Sequence, residues 1–252
     1  MRRIMDPKTA PLSIVMCFLL HVGGPGVAAQ DADFLFDRPL FTLSAGGGWT
    51  IPGEGGDIFD FTREQLTVDE GDFASPAFLM ELGARVTERL DVAAGLEYAS
   101  RTVNSEMRDW VTQDDRPITQ STEFRRTRLM GSVKGYLLPR GRTISQLAWV
   151  PNRWSPYLGL GAGYTWYEFF QEGDFVDFET LDIFSDRFRS TGSGGTLHAL
   201  AGVELSLSPR FLVRGEYRYI WGDGGFSGSD FEGFGDIDLS GSSFTLGLGV
   251  RM

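Results

Sequence analysis

The chain has 252 residues, 33 of them glycine and 13% aromatic, and a formal net charge of -11 at neutral pH. That acidity excludes a nucleic-acid partner, because a phosphate backbone is met by lysine and arginine gathered on one face. A single cysteine, Cys17, excludes a disulfide framework and a thiolate metal site, and no apolar run reaches the roughly 18 residues of a transmembrane helix.

Taken from the start, Arg2, Arg3 and Lys8 precede the apolar run 12–20, followed by a stretch rich in small residues that ends at Val27-Ala28-Ala29. Basic, apolar and small regions in that order predict a secretory signal over 1–29, cut before Gln30. Cys17 lies inside the apolar run behind Met16, where a lipidation site wants a small residue, so it is expected to leave with the signal. A short lead-in is expected over 30–38 and the folded domain over 39–252.

A first strand is predicted at about 39–50, with Phe41, Leu43, Ala45 and Trp49 on one face and Gly46 and Gly48 opposite. Residues 51–75 form a long connection with seven acidic residues against Arg63 alone. The second strand, about 76–86, alternates Phe78, Met80, Leu82, Ala84 and Val86 with Glu81, Gly83 and Arg85. After a tight turn at 87–89, the third, about 90–101, sets Leu90, Val92, Ala94, Leu96 and Tyr98 against Asp91, Gly95, Glu97 and Arg101. A second long connection covers 102–122.

The fourth strand, about 124–137, sets Leu129, Val133 and Leu137 against Arg126, Arg128, Ser132, Lys134 and Tyr136. Residues 138–155 are irregular and basic, with Trp149 and Trp154. The fifth strand, about 156–170, carries Leu158, Leu160, Ala162, Tyr164 and Trp166 opposite three glycines, and a third long connection runs over 171–195. The sixth, 196–207, has His198 and Glu204 on its polar side. A turn at 208–210 leads to the seventh, 211–222, where Arg214, Glu216 and Arg218 oppose Val213, Tyr217, Tyr219 and Trp221. A connection over 222–241 precedes the eighth, whose Phe244, Leu246, Leu248, Val250 and Met252 oppose Ser243, Thr245, Gly247, Gly249 and Arg251.

Eight strands of this length suit a bilayer, since tilted membrane strands need about 9–11 residues and soluble strands are most often about 5–6. An even number closes into a ring that satisfies every backbone donor and acceptor in lipid. The pattern therefore predicts an all-β fold, an eight-stranded antiparallel transmembrane β-barrel with the bulky face outward. A soluble lipocalin-like barrel would instead place that face around a ligand. Connections alternate long and short, as external loops and periplasmic turns do. The four long ones hold 22 acidic and 5 basic residues; the rest of the chain from Gln30 onward holds 11 acidic and 15 basic.

Under this fold Glu81, Arg85, Glu97, Arg101, Arg126, Arg128, Lys134, Glu204, Arg214, Glu216 and Arg218 form a charged network in the lumen. Buried charges must pair or stay hydrated, so the expectation is a salt-bridged plug, with a narrow anion-favouring channel as the alternative. Trp49, Tyr98, Tyr164, Trp166, Tyr217, Tyr219 and Trp221, together with Trp110 and Tyr167, are predicted to stand at the lipid headgroups.

The stretches 155–169, SPYLGLGAGYTWYEF, and 207–221, LSPRFLVRGEYRYIW, with the alternating C-terminal strand, resemble the small outer-membrane β-barrel proteins of Gram-negative bacteria. The likeness is to the OmpA-like and OmpX-like eight-stranded group and covers about 39–252. It departs from the group's pattern at Met252, where an aromatic usually ends the last strand, and no peptidoglycan-binding domain is expected after it. The resemblance implies a structural, adhesive or host-interacting protein of the cell outer membrane, and for some members a minor pore.

Chemistry for an enzyme is thin. His198 could serve a serine-type lipid-modifying enzyme only beside a serine and a carboxylate at the rim, and its inward parity predicts a hydrogen-bonded lumen residue. No metal-ligand spacing is present, and acidic loop segments such as Asp57–Asp60 could gather divalent cations only weakly, with no EF-hand spacing. The expected function is thus structural or surface-interacting through acidic external loops. Its alternatives are an ion or small-solute channel and, behind that, a lipid-modifying enzyme. No catalytic residue, metal or cofactor is assigned. The expected partners are outer-membrane lipid, lipopolysaccharide and an unidentified surface ligand, with the barrel acting as a monomer.

Overall fold

A computed structural model describes residues 34–145, 148–177, 179–227 and 233–252; the expected signal over 1–29 and the start of the lead-in lie outside the described residues. The elements are β1 (Phe41–Pro52), α1 (Asp57–Gln65), β2 (Ser75–Arg85), β3 (Leu90–Val111), β4 (Pro117–Tyr136), β5 (Gly141–Ser145), β6 (Ala148–Pro151), β7 (Trp154–Val176), β8 (Ile183–Ser206), β9 (Phe211–Ser227), β10 (Ile237–Asp238) and β11 (Gly241–Arg251). Eight strands pair antiparallel in the order β1, β2, β3, β4, β7, β8, β9, β11, and β11 returns to β1. No edge is left in that ring, which is the condition for a sheet to stand in lipid. None of the described helices is long and apolar enough to cross a membrane.

The short turns are held by their backbones: Val86 and Thr87 both donate to the Leu90 carbonyl, and Leu207 and Ser208 both donate to the Phe211 carbonyl. Over one stretch of every ring strand, including all of β11, the bulky outward side chains are apolar and exposed, among them Leu43, Leu82, Leu96, Val133, Leu160, Leu197 and Leu248. No soluble core would leave such a row uncovered. It is the surface a bilayer covers.

Strand lengths then divide the molecule into two levels. β11 has 11 residues, which at roughly 3.3 Å each and about 40° of tilt rise roughly 28 Å, close to the apolar band of an outer-membrane barrel. β8 has 24, enough for roughly 60 Å. Thus β3, β4, β7 and β8 continue well past the membrane, through segments 102–122 and 171–195 that the sequence reading assigned to loops.

Where they leave the band, the chemistry of the two faces inverts. Outward positions become Thr102, Asn104 and Glu106 on β3, Glu123 and Arg125 on β4, Glu168 and Glu172 on β7, and Arg187 and Arg189 on β8. Inward positions become Met107, Ile118, Phe124, Tyr167, Phe169 and Val176, all buried. Below this level the tube is oily outside and charged inside; above it the same strands are polar outside and oily inside. Helix α1 lies in the mouth of the extension and adds Ile58 and Phe59 to that upper core.

The irregular segment 138–155 folds as a hairpin of β5 and β6 at the opposite end. Its Trp149 is buried and exchanges two backbone hydrogen bonds with Leu35, each 2.9 Å, so the lead-in is paired to the hairpin.

Candidate functional site

The lumen is crowded with charge. Glu81 on β2 accepts Lys134 Nζ at 2.7 and 2.9 Å, is paired with Arg214 Nη1, and lies 3.7 Å from Arg218 Nη2. Glu216 takes Lys134 Nζ at 2.8 Å, Arg218 Nη2 at 2.5 Å and the Tyr157 hydroxyl at 2.8 Å. Glu97 takes Arg128 Nη1 at 2.6 Å and the Ser243 hydroxyl at 3.1 Å, while Arg128 Nε donates to Thr165 Oγ1 at 3.0 Å. Glu204 accepts the Tyr136 hydroxyl at 2.8 Å and Arg251 Nη2 at 3.4 Å. Arg126 is buried without a carboxylate in ion-pair range among the described residues; it donates to Ser75 Oγ at 3.3 Å and lies 4.9 Å over the Phe124 ring.

The glycines of β7 make room for this. Ser132, Gly161 and His198 lie side by side in register, and across the bare glycine Ser132 Oγ meets His198 Nε2 at 2.8 Å. A Cβ on Gly161 would run into His198 Nε2 and the Gly131 carbonyl. His198 is therefore deep in the tube, fifteen residues beyond the start of β8 at Ile183, and not beside the rim as the shorter predicted strand put it. Its Nδ1 has no hydrogen-bond partner among the described residues, so the Ser–His pair has no carboxylate behind it.

One expected lumen residue, Arg101, lies elsewhere, and another, Arg85, sits at the turn end of the tube. Arg101 is exposed and donates Nε to the Asp72 carbonyl at 3.2 Å. Its cross-strand partner is Phe124, at the level where the interior is apolar, so a guanidinium is pushed out to the loop. Arg85 is half-buried at the turn end, with its guanidinium 5.3 Å over the Trp149 ring. The sequence reading left out Asp91, Arg140 and Arg251 as members. Arg140 Nη2 bonds Asp91 at 2.9 Å, and Arg251 is almost wholly buried beside Glu204. The parity of Asp91 and Arg251 already placed them inward, whereas Arg140 belongs to no ring strand and carries no such signal.

Trp49, Tyr98, Tyr164, Trp166, Tyr217, Tyr219 and Trp221 stand on the outer surface, between 36% and 48% exposed. They stand just below the level at which outward positions turn charged, at Arg125 and Glu168. Tyr167 has the other parity: it is buried in the upper core and donates to the Gly225 carbonyl at 2.7 Å, and Trp110 also packs against that core. Neither is a headgroup aromatic.

The upper core is tied down by Glu54, which is 2% exposed. Its carboxylate accepts the Gly71 and Phe73 amides at 3.0 and 3.3 Å, and its carbonyl accepts Arg63 Nη1 at 3.0 Å. Burial outweighs these amides and the Arg63 charge, and holds the Glu54 carboxyl above its ordinary 4.5. The folded cap then binds the proton more readily than the unfolded segment. The resulting stabilisation is complete below the unfolded value and is lost as pH rises through the folded one. Cleavage within 57–74 by an added protease, normalised to a free peptide of that sequence, is expected to quicken across that window, and Glu54→Gln to flatten the profile. Slower cleavage with rising pH would contradict the assignment.

Buried side chains crowd both ends of the tube. Phe59, Phe73, Phe124 and Phe169 meet edge-on or tilted, with Phe59 centroids 5.4 Å from Phe73 and Phe124. At the turn end Arg140 and Trp149 are buried, and Arg251 lies 5.8 Å from the Trp149 ring.

Comparison with solved structures finds likeness to small outer-membrane barrels. Neisserial surface protein A is 13% identical over 88% of this chain and 98% of its own, with a TM-score of 0.44. OprG from Pseudomonas aeruginosa is 14% identical over 85% and 96%, at 0.46. Ail, the attachment invasion locus protein of Yersinia pestis, is 15% identical over 86% and 100%, at 0.41. Among curated proteins none matches the chain. The family described as outer membrane protein beta-barrel domain matches residues 24–251, so with a closed eight-stranded ring and a lipid-facing apolar band the chain belongs to that family and resides in the outer membrane.

Proposed function

We propose that this protein is a sealed envelope barrel whose working surface is its acidic extracellular cap, used for surface interaction, with the barrel as its structural anchor. The crowding of the tube at both levels carries this reading. An apolar plug around Phe59 sits above and the Trp149 hairpin below. Between them Glu81, Glu97, Glu204 and Glu216 are each bonded to cations or hydroxyls.

A conduit would need water along that path. An enzyme would need access to His198, which is 1% exposed at mid-tube. The material placed outside the membrane is distinctive in its charge, 22 acidic against 5 basic residues in the four long connections. Asp69, Asp109, Asp114 and Asp115 are exposed. Such a surface favours a basic partner and steers its approach, with a strong dependence on salt.

Two measurements test the reading. Purified protein in a planar bilayer is expected to give no discrete conductance; steps whose ion preference changes on replacing Arg214 and Arg218 would favour a channel. Cells displaying the protein are expected to retain a basic protein at least about tenfold better than cells displaying a variant with all four of those aspartates changed to asparagine. Equal retention would remove the surface role.

A further inference from the structure

We propose that the turn end of the barrel carries a collar of arginines that gathers anionic phospholipid, of the phosphatidylglycerol type, from the leaflet around it. Four ring strands leave this end, β1, β3, β7 and β9, and they are every second strand of the ring. Arg89, Arg153 and Arg210 each immediately precede the first residue of β3, β7 and β9, and Arg38 stands three residues before β1. All four are exposed. Each of the last three adjoins an outward apolar side chain: Leu90, Trp154 and Phe211, the latter two exposed. The returning strands β2, β4, β8 and β11 are each followed by an exposed apolar residue, Val86, Leu137, Leu207 and Met252. The apolar outer surface therefore runs down to this level. Turns closed by backbone bonds from Val86 to Leu90 and from Leu207 to Phe211 hold Arg89 and Arg210 there.

The charges are left over after the protein's own pairing. Arg38 is bonded to Glu88 at 3.2 Å. The side chains of Arg89, Arg153 and Arg210 have no hydrogen bond or ion pair among the described residues. Asp37 and Glu88 are the exposed side-chain carboxylates at this end among the described residues, against those four arginines and Arg142 on the β5–β6 hairpin. Asp91 and Glu204 are buried and already bonded to Arg140 and Arg251. An arginine at such a level lays its aliphatic stem along apolar surface and presents its guanidinium fork to phosphate oxygens. The indole of Trp154 prefers the same depth. Because the arginines are spread round the circumference and do not converge, they suit a layer of headgroups and not one small free anion. A zwitterionic headgroup offers its phosphate together with a cation of its own, so the uncompensated positive charge favours an anionic lipid. The collar is independent of what the cap binds.

The test embeds the full barrel in phosphatidylcholine vesicles to which a brominated lipid, either phosphatidylglycerol or phosphatidylcholine, is added stepwise. Bromine quenches nearby indoles, and the part of the quenching that disappears in Trp154→Phe reports the collar. Phosphatidylglycerol is expected to be preferred there by about fivefold or more, the effect of one basic residue near an anionic surface. The preference should vanish in the triple variant Arg89→Gln, Arg153→Gln, Arg210→Gln, persist when the same three are changed to lysine, and shrink in high salt. Heat-dependent gel migration checks that each variant is folded. Equal quenching by the two lipids in the unsubstituted barrel, or an undiminished preference in the glutamine variant, would overturn the collar. Retention on purified cell-wall sacculi that is lost in the glutamine variant, with no lipid preference, would assign these arginines to the wall and overturn it as well.

Discussion

Replacing Glu81 by alanine is expected to lower the unfolding free energy of the barrel by about 3–5 kcal/mol, the usual cost of removing one partner from a buried ion pair. Glu81 is the acceptor at which Lys134 and Arg214 converge, with Arg218 within 3.7 Å. These three cations come from β4 and β9, across the tube from β2, so one carboxylate ties together strands far apart in sequence. Without it, Glu216 alone would face all three charges in a space that excludes most water. The comparison is Glu172→Ala, which breaks a pair with Arg187 where the side chains are 46% and 64% exposed. Exposed pairs contribute roughly 0–1 kcal/mol. Urea unfolding of both variants in lipid vesicles, followed by tryptophan emission, measures the difference. If Glu81→Ala loses no more than Glu172→Ala, the lumen is hydrated and the account of a dry, salt-bridged core fails.

The membrane level of this fold could be read from the sequence because its two faces obey one rule over eight strands. Leu246 and Leu248 alternate with Gly247 and Gly249, and Val213 and Tyr217 alternate with Arg214, Glu216 and Arg218. A period of two fixes both the strand and the side each residue faces. The continuation of the strands was hidden by the same rule. From Thr102 onward the outward residues are polar, and the inward ones are Met107, Ile118, Phe124 and Phe169. A search for an apolar outer face stops at that inversion, although the period of two persists. Seen as a soluble sheet with its oily side inward, Pro117–Tyr136 is one unbroken strand.

The residues placed wrongly share this cause. Arg101 has inward parity, but it sits one step above the charged lumen, beside Phe124, where the interior no longer tolerates a cation. Tyr167 groups with the headgroup aromatics by its ring type and its place near the loop-side end of a strand, and parity alone puts it inside. Arg140 and Trp149 were out of reach for a different reason. Their burial depends on a hairpin folding against the ring and pairing with Leu35, a contact between segments more than a hundred residues apart that no local pattern announces.

Substituting Phe59 by alanine is expected to release the cap and leave the membrane ring intact. Phe59 is 1% exposed and centres the ring cluster of the upper core. Helix α1 has nine residues, no side-chain cap at Gly56, and depends on burying Ile58, Phe59 and Thr62. A helix this short does not persist alone. Truncating a buried phenylalanine costs about 3–5 kcal/mol, which is more than the Glu54 hydrogen bonds to Gly71 and Phe73 can make up at about 1 kcal/mol each. Segment 53–74 should then become open to protease and exchange its amides quickly. Heat-dependent gel migration and the urea midpoint of the ring should hold, because the lipid-covered strands touch Phe59 only through their extensions. Conductance should stay low as well, since the Glu81 and Glu216 clusters lie beneath the plug and do not need it. Loss of the folded ring together with the cap would mean that the two levels fold as one cooperative unit, and the division between a membrane anchor and an extracellular working surface would have to be given up.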